Sequence, residues 1–278
     1  RLLMEFCVSQ ERLNEKFYKR RGLCLEEKIE EVFQSYFDGK AQVFKGFYTQ
    51  EKHEQDLLII IDGLALIIEA KASNRDEPRR DPDKAYQVIL RNFDKTIQKG
   101  YDQAYRVKEK FLYDEKLRLY EDQRLSKHII DLNTSKYYHA FSIVVTQERF
   151  GQIQTDMSEL LEIWDDDGYP WSICIDDLEV FLLYLKKKNK KKSFLTLFLN
   201  VRQKLHGKLI TADELEVCGG FLNGKINLKL ANSDTVLPLT PDLAGVFDDV
   251  YQKSTLDFTK EKNVELKTSG KVIPLGGF

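Results

Sequence analysis

Two acidic residues and a lysine lie in the most apolar stretch of this 278-residue chain. Asp56 stands at the start of the stretch, and Glu69 and Lys71 stand at its end. The residues between them are aliphatic except for Asp62 and Gly63. Carboxylate oxygens suit Mg²⁺, and a neighbouring lysine can orient water or stabilise a developing anion. These residue types indicate metal-assisted chemistry if the fold brings the three side chains together.

A tight hairpin would bring them together. Asp62 and Gly63 separate two runs of β-forming residues, and an Asp-Gly pair tolerates the positive φ angles of a type I′ turn. Counting outward from a two-residue loop places Asp56 opposite Glu69, with Cβ atoms roughly 5 Å apart. Lys71 follows Glu69 by two residues, so it projects from the same face. The two carboxylates and the ammonium group therefore share one face of the predicted hairpin.

Both faces of this hairpin are apolar, which predicts a position inside a sheet that is covered on both sides. An unpaired charge there would cost several kcal/mol or more. A divalent cation between the carboxylates would offset that cost. The alternative is structural: Lys71 pairs with Glu69 at the rim of the sheet, and Asp56 lies at an exposed strand start.

An acid at a strand start, a hairpin and then Glu-x-Lys on the next strand form a known signature. Asp56 and the run Glu69, Ala70, Lys71 resemble in order, type and spacing the PD-(D/E)XK nuclease superfamily. The similarity is to its nuclease-related and restriction-endonuclease-like members, and it covers roughly residues 20–185. Gln55 stands where that family often has a proline.

The resemblance implies a Mg²⁺-dependent nuclease acting on DNA, with Mn²⁺ able to substitute. It implies that Asp56 and Glu69 hold the metal together with the main-chain carbonyl of Ala70. It further implies that Lys71 positions or deprotonates the attacking water. These roles are expectations carried over from the family.

The same family usually has a glutamate on the helix before the hairpin and often a glutamine on the helix after it. Helical spacing places Glu26 between Phe33 and Phe37 on an apolar stripe, so Glu26 is the candidate third carboxylate and Glu30 the second choice. A first-turn acid favoured by the helix dipole explains Glu26 equally well. On the later helix, Gln103 is the candidate polar neighbour of the site, against an ordinary exposed glutamine.

Charge composition gives no global preference for nucleic acid. Lys and Arg number 43, Asp and Glu number 45, and the net charge is −2. A nucleic-acid partner must therefore be bound by local basic patches. The candidates that follow the hairpin are Arg75, Arg79, Arg80 and Arg91. The lysine-rich run 186–192 is a weaker candidate, because cations near a helix C-terminus are favourable in any case.

Cysteine and histidine usage argues against other site classes. The four cysteines have no C-x-x-C spacing and the four histidines are isolated, so neither a zinc site nor a His-based nucleophile is expected. The chain has no secretory signal and no apolar run long enough to span a bilayer. These features predict a cytoplasmic protein without a membrane partner.

The pattern of elements predicts an α/β fold with a restriction-endonuclease-like core: a central mixed sheet of four or five strands flanked by helices. A small C-terminal α+β unit follows, with a hairpin over 226–230 and 236–239. Residues 120–136 are polar and are expected to form a loop. The predicted divisions are an N-terminal helical extension at 1–20, a nuclease-like domain at 21–190 and an accessory unit at 191–278.

Together these observations and the resemblance predict a Mg²⁺-dependent DNA endonuclease, with restriction-like or anti-phage defence as its setting. Two alternatives stay open. One is an inactive nuclease-like module that binds nucleic acid or acts as a scaffold. The other is an RNase or a nuclease that a protein partner activates. Because the chain begins at an arginine, we expect a fragment of a longer protein with a further module, and self-association into a homo-oligomer is also left open.

Overall fold

A mixed seven-stranded sheet forms the centre of the molecule in the computed structural model, which describes residues 14–73, 76, 80–252, 267–268 and 271–272. The α/β class is therefore confirmed. The strands are β1 Gln42–Tyr48, β2 Glu54–Ile61, β3 Leu64–Lys71, β4 Lys116–Tyr120, β5 His128–Asn133, β6 His139–Thr146 and β7 Trp171–Cys174. Their spatial order in the sheet is β5-β4-β1-β2-β3-β6-β7.

The strands β2 and β3 form the predicted hairpin. Asp62 and Gly63 both have positive φ, at 39° and 81°, as a type I′ turn requires. Ile61 pairs with Leu64, and the antiparallel register continues outward from that pair. Strand β1 pairs antiparallel with β2, whereas β6 pairs parallel with β3 and β7 parallel with β6. The hairpin strands β2 and β3 thus lie where the sequence predicted them.

The expected count of four or five strands is wrong. The two additional strands, β4 and β5, pair with each other and extend the sheet beyond β1. Strand β5 falls within residues 120–136, which were expected to form a loop. Leu117 and Leu119 are buried while Lys116 and Arg118 are exposed, so β4 follows a two-residue alternation that its charged residues obscure.

Helices cover both faces of the sheet. Helix α1 runs without a break across the division expected between residues 20 and 21. No helix in the described part of the chain combines the length and apolarity needed to cross a membrane. The helices are α1 Asn14–Tyr36, α2 Pro82–Phe93, α3 Lys99–Tyr113, α4 Gln152–Thr155, α5 Ile175–Lys187, α6 Lys192–Arg202, α7 Glu214–Leu222, α8 Leu228–Ala231 and α9 Gly245–Gln252, and a π-helical segment, Asp94–Gln98, joins α2 to α3.

Each face of the hairpin packs against different helices. Leu57 and Leu66 belong to a buried cluster that includes residues of α1, α5 and α6. Leu58 and Ile67 belong to a second cluster with residues of α3, among them Val107. Asp56, Glu69 and Lys71 alternate in phase with the second set, so they belong to the face that α3 covers.

The C-terminal elements differ in part from expectation. Leu228–Ala231 is helical instead of a hairpin strand, and the short strand β9, Leu237–Pro238, pairs parallel with β8, Leu209–Ile210. The large cluster under α1 also contains Phe198, Val217 and Phe221, so the apolar core continues into these elements.

A close approach fixes helix α7 against the 3₁₀ turn Pro241–Ala244. A Cβ atom on Gly219 would lie 1.9 Å from the carbonyl oxygen of Leu243, so a side chain at this position forces the backbone apart. We expect Gly219→Ala to lower the free energy of unfolding by about 2–3 kcal/mol in chemical denaturation. Gly22→Ala in α1 is the control: no atom lies within 4 Å of its Cβ position, so the alanine should stabilise the protein by about 0.5–1 kcal/mol. Equal effects of the two substitutions would contradict this packing.

Candidate metal and phosphodiester site

The structure brings Asp56, Glu69 and Lys71 into direct contact. The side chain of Glu69 is 0% exposed and that of Lys71 is 13% exposed. Lys71 Nζ donates to Glu69 Oε2 at 2.6 Å. Asp56 is half-buried, and its Oδ2 atom accepts the main-chain N–H of Ala70 at 2.8 Å. The ion pair of the structural alternative is thus present, but it is buried instead of lying at an exposed rim.

Main-chain pairing is interrupted on both sides of Asp56. Toward β3, the paired register ends at Leu57 with Ile68, and the Ala70 N–H turns to the Asp56 carboxylate. Toward β1, no pair joins Asp56 to Gly46, which has a φ of 52°. The Asp56 N–H instead donates to Glu69 Oε1 at 3.4 Å. Side-chain carboxylates therefore replace sheet partners at this point.

Helix α3 supplies the second partner of Lys71. Gln103 Oε1 accepts from Lys71 Nζ at 2.7 Å, which places the glutamine beside the site as the sequence suggested. The helix comes this close because residue 100 is glycine. A Cβ atom there would lie 2.9 Å from Val144 Cγ1 and 3.1 Å from Lys71 Cε. The ammonium group is thus held between one carboxylate and one amide oxygen.

Burial and like charge destabilise the ionised form of Glu69. The pKa of Glu69 is raised from 4.5 to about 8, chiefly because the carboxylate is removed from water; the nearby Asp56 carboxylate also raises this pKa, and Lys71 lowers it. Its protonation state is therefore sensitive to any cation that enters the site.

Glu26 lies in the same electrostatic field. Burial, followed by repulsion from Asp56 and Glu54, raises the pKa of Glu26 from 4.5 to about 7. Among the described residues, no hydrogen bond or ion pair involves its half-buried carboxylate. Glu30, the second choice, pairs with Lys45 at 2.6 Å. Glu26 is thus the acid on α1 whose carboxylate is available to the site.

The basic candidates are placed less favourably. Arg75 and Arg79 lie outside the described residues. Arg80 is exposed, and Arg91 pairs with Asp76 at 3.0 Å. The lysine-rich run makes local contacts: Lys186 bonds to the Ser35 carbonyl, Lys188 and Lys190 lie over the rings of Tyr184 and Phe194, and Lys192 bonds to the Asp62 carbonyl.

Two further polar residues lie at the carboxyl ends of β3 and β6. The Gln147 N–H donates to the Lys71 carbonyl at 3.1 Å, and Arg21 of α1 donates to the Gln147 side chain. Sequence reasoning did not single them out. A general rule could have found Gln147, because ligands of α/β proteins gather where parallel strands end and Gln147 directly follows β6.

The donor set fits a hard divalent cation in chemistry. Asp56 and Glu69 offer carboxylate oxygens to one region, and Lys71 is the only cation of the described residues that bonds to either. No group of three or more His, Cys, Asp or Glu side chains that could hold a metal ion is present in the described part of the chain. Mg²⁺ usually keeps several waters and is bound by one or two carboxylates.

No protein-family model, curated protein or solved structure matches this chain.

The raised pKa of Glu69 predicts a pH-dependent stability. The folded state binds this proton more tightly than the unfolded state, so the metal-free protein should lose stability as pH rises from about 4.5 to about 8. Glu69→Gln should remove this contribution and reduce the loss between pH 5 and pH 8.5 by about 2–4 kcal/mol, measured by denaturation in EDTA. Glu109→Gln, at an exposed position of α3, is the control. A Glu69→Gln protein with the parent's pH dependence would refute the assignment.

The close approach of Gly100 to Lys71 predicts that a glycine-to-alanine substitution in this helix is destabilising. Gly100→Ala adds helix propensity worth about 1 kcal/mol, but its methyl group must displace Val144 and the Lys71 stem. We expect a net loss of about 1 kcal/mol in the free energy of unfolding. In a Val144→Ala background, Gly100→Ala should cost less than it does in the parent protein, because the nearer contact is removed. A stabilised single variant would contradict the close approach.

Proposed function

We propose that this protein is a Mg²⁺-dependent nuclease that hydrolyses phosphodiester bonds of DNA. The observation that carries the proposal is the fully buried Glu69 carboxylate beside the Asp56 carboxylate, with the Lys71 ammonium group bonded to Glu69 and Gln103. Two carboxylates and one lysine leave a local excess of negative charge. A divalent cation offsets such an excess and prefers oxygen ligands.

The sequence resemblance supports the same reading. Asp56, then Glu69, Ala70 and Lys71, follow the order of the PD-(D/E)XK signature, and the hairpin between them brings the side chains together. Glu26 on the preceding helix and Gln103 on the following helix occupy positions that the family also uses. The contact of Gln103 with Lys71 and the repulsion between Glu26 and Asp56 link both residues to the central pair.

Each residue of the site has a proposed role. Asp56 and Glu69 would hold Mg²⁺ with the Ala70 carbonyl, and Glu26 would hold it or one of its waters. Bound there, Mg²⁺ supplies Lewis-acid polarisation of the phosphate and a lower pKa for water. Lys71 Nζ, which Gln103 orients, would position the attacking water and stabilise the charge that develops on the phosphate.

The structural ion pair favours a second candidate. Because Lys71 already bonds to Glu69 at 2.6 Å, the site can exist as a buried salt bridge without a metal. In that case the protein would be an inactive nuclease-like module that binds nucleic acid or acts as a scaffold. Activation by a protein partner and cleavage of RNA are further variants of the nuclease proposal, and defence against foreign DNA is its proposed setting.

Cleavage assays test the proposal directly. Supercoiled plasmid, linear DNA and RNA are incubated with the protein in Mg²⁺, Mn²⁺ or EDTA. We expect metal-dependent cutting of DNA, and nicking of closed circles would identify an endonuclease. Asp56→Asn, Glu69→Gln and Lys71→Met should each reduce the rate by about 10²–10⁴-fold. Asp62→Asn, in the turn of the same hairpin, and Lys40→Met, at an exposed position, should retain the rate.

Other outcomes separate the candidates. Absence of cutting together with absence of Mn²⁺ binding in calorimetry would refute the nuclease and leave the scaffold. Mn²⁺ binding that Asp56→Asn abolishes, without cutting, would indicate a nuclease that needs an activator. Cutting of RNA alone would reassign the substrate.

A further inference from the structure

Gln55 is a buried amide at the start of β2, directly before Asp56. Its side chain is 0% exposed, and its Nε2 atom donates to the main-chain carbonyl of Ile68 at 2.9 Å. Its Oε1 atom is buried and has no hydrogen-bond partner among the described residues. A buried oxygen without a partner destabilises a fold. We therefore look to the hydrogen bond that Nε2 donates for the reason that an amide occupies this position.

The Gln55 Nε2 atom bonds to β3 at the point where main-chain pairing between β2 and β3 ends. In an antiparallel ladder, hydrogen-bonded pairs alternate with pairs that are not hydrogen-bonded. Counting outward from the pair Ile61 and Leu64, the hydrogen-bonded pair after Leu57 and Ile68 would be Gln55 with Ala70. The paired register ends before it, and the Ala70 N–H donates to Asp56 Oδ2 instead.

We propose that Gln55 is a positioning residue for the Asp56 and Glu69 site. Its side-chain amide joins β2 to β3 where the main-chain ladder ends, and this bond keeps the Ala70 N–H directed at the Asp56 carboxylate. The consequence for metal affinity rests on the proposed function. The consequence for the hydrogen bond between Ala70 and Asp56 does not.

The side-chain requirements follow from the geometry. A replacement must fill the same buried volume and donate to the Ile68 carbonyl. Methionine has a similar length and shape but no donor. Valine suits a strand and also lacks a donor, so it provides a second variant if one of the two fails to fold.

The chain offers a matched control in Gln34 of α1. Its Nε2 atom also donates to a main-chain carbonyl, that of Ala41 at 3.2 Å, and its Oε1 atom is also buried without a partner among the described residues. Gln34→Met therefore removes the same kind of bond at a position that makes no bond to the site residues. Differences between Gln55→Met and Gln34→Met report what is specific to Gln55.

Amide hydrogen exchange of Ala70, measured by NMR without metal, tests the inference. In the parent protein, Asp56→Ala should speed this exchange about tenfold, because the acceptor is lost. With Gln55→Met or Gln55→Val in place, adding Asp56→Ala should change the exchange less than twofold, since the bond is already broken. With Gln34→Met, the tenfold effect should remain. In calorimetry, Gln55→Met should weaken Mn²⁺ binding about 10–100-fold, and Gln34→Met should not.

An undiminished effect of Asp56→Ala in both Gln55 variants would overturn the inference. If exchange behaves as expected but the parent protein binds no Mn²⁺ and cuts no nucleic acid, Gln55 still positions Asp56 and the proposed function fails. If Mn²⁺ binds the parent and Gln55→Met equally while exchange is unaffected, the metal site stands and the role of Gln55 is refuted.

Discussion

The Glu69 carboxylate is fully buried among the aliphatic residues of the sheet. The groups around it compensate the electrostatic cost of burying a charge there. Helices on both faces of the sheet exclude water from β3, so only protein groups or a bound cation can compensate the charge. Lys71 provides one compensating charge, and Gln103 on α3 holds that lysine in place. Asp56 adds a second negative charge to the same region and raises the pKa of Glu69. The fold thus concentrates acids where a globular core would normally exclude them.

The site forms where the sheet departs from regular pairing. On the β1 side, Gly46, which has a positive φ, lies opposite Asp56 without pairing to it. On the β3 side, the side-chain amide of Gln55 donates to the Ile68 carbonyl. At this point the main-chain N–H groups of Asp56 and Ala70 bond with carboxylates instead of strand partners. Interruptions of strand pairing that bury polar groups are typical of functional sites. They persist only where the surrounding structure holds them in place.

The sequence predicted the hairpin because a two-residue Asp-Gly loop fixes the register of every residue beyond it. It could not predict the extra strands, since β4 carries Lys116 and Arg118 on its exposed face and offers only Leu117 and Leu119 as an apolar signal. The segment 226–230 is typical of a strand in sequence although Leu228–Ala231 is helical, because so few residues cannot distinguish the two periods. Contacts that depend on tertiary approach, such as Gly100 against Lys71 or Arg21 against Gln147, leave no local pattern.

The proposed function requires a divalent cation that compensates the paired carboxylates of Asp56 and Glu69. This cation can be located in a crystal of the protein grown with Mn²⁺ and measured at the manganese absorption edge. We expect an anomalous peak bonded to carboxylate oxygens of Asp56 and Glu69 and to the Ala70 carbonyl, and loss of that peak in Asp56→Asn. A well-ordered crystal with saturating Mn²⁺, no peak at these residues and Lys71 still paired with Glu69 would refute the metal site.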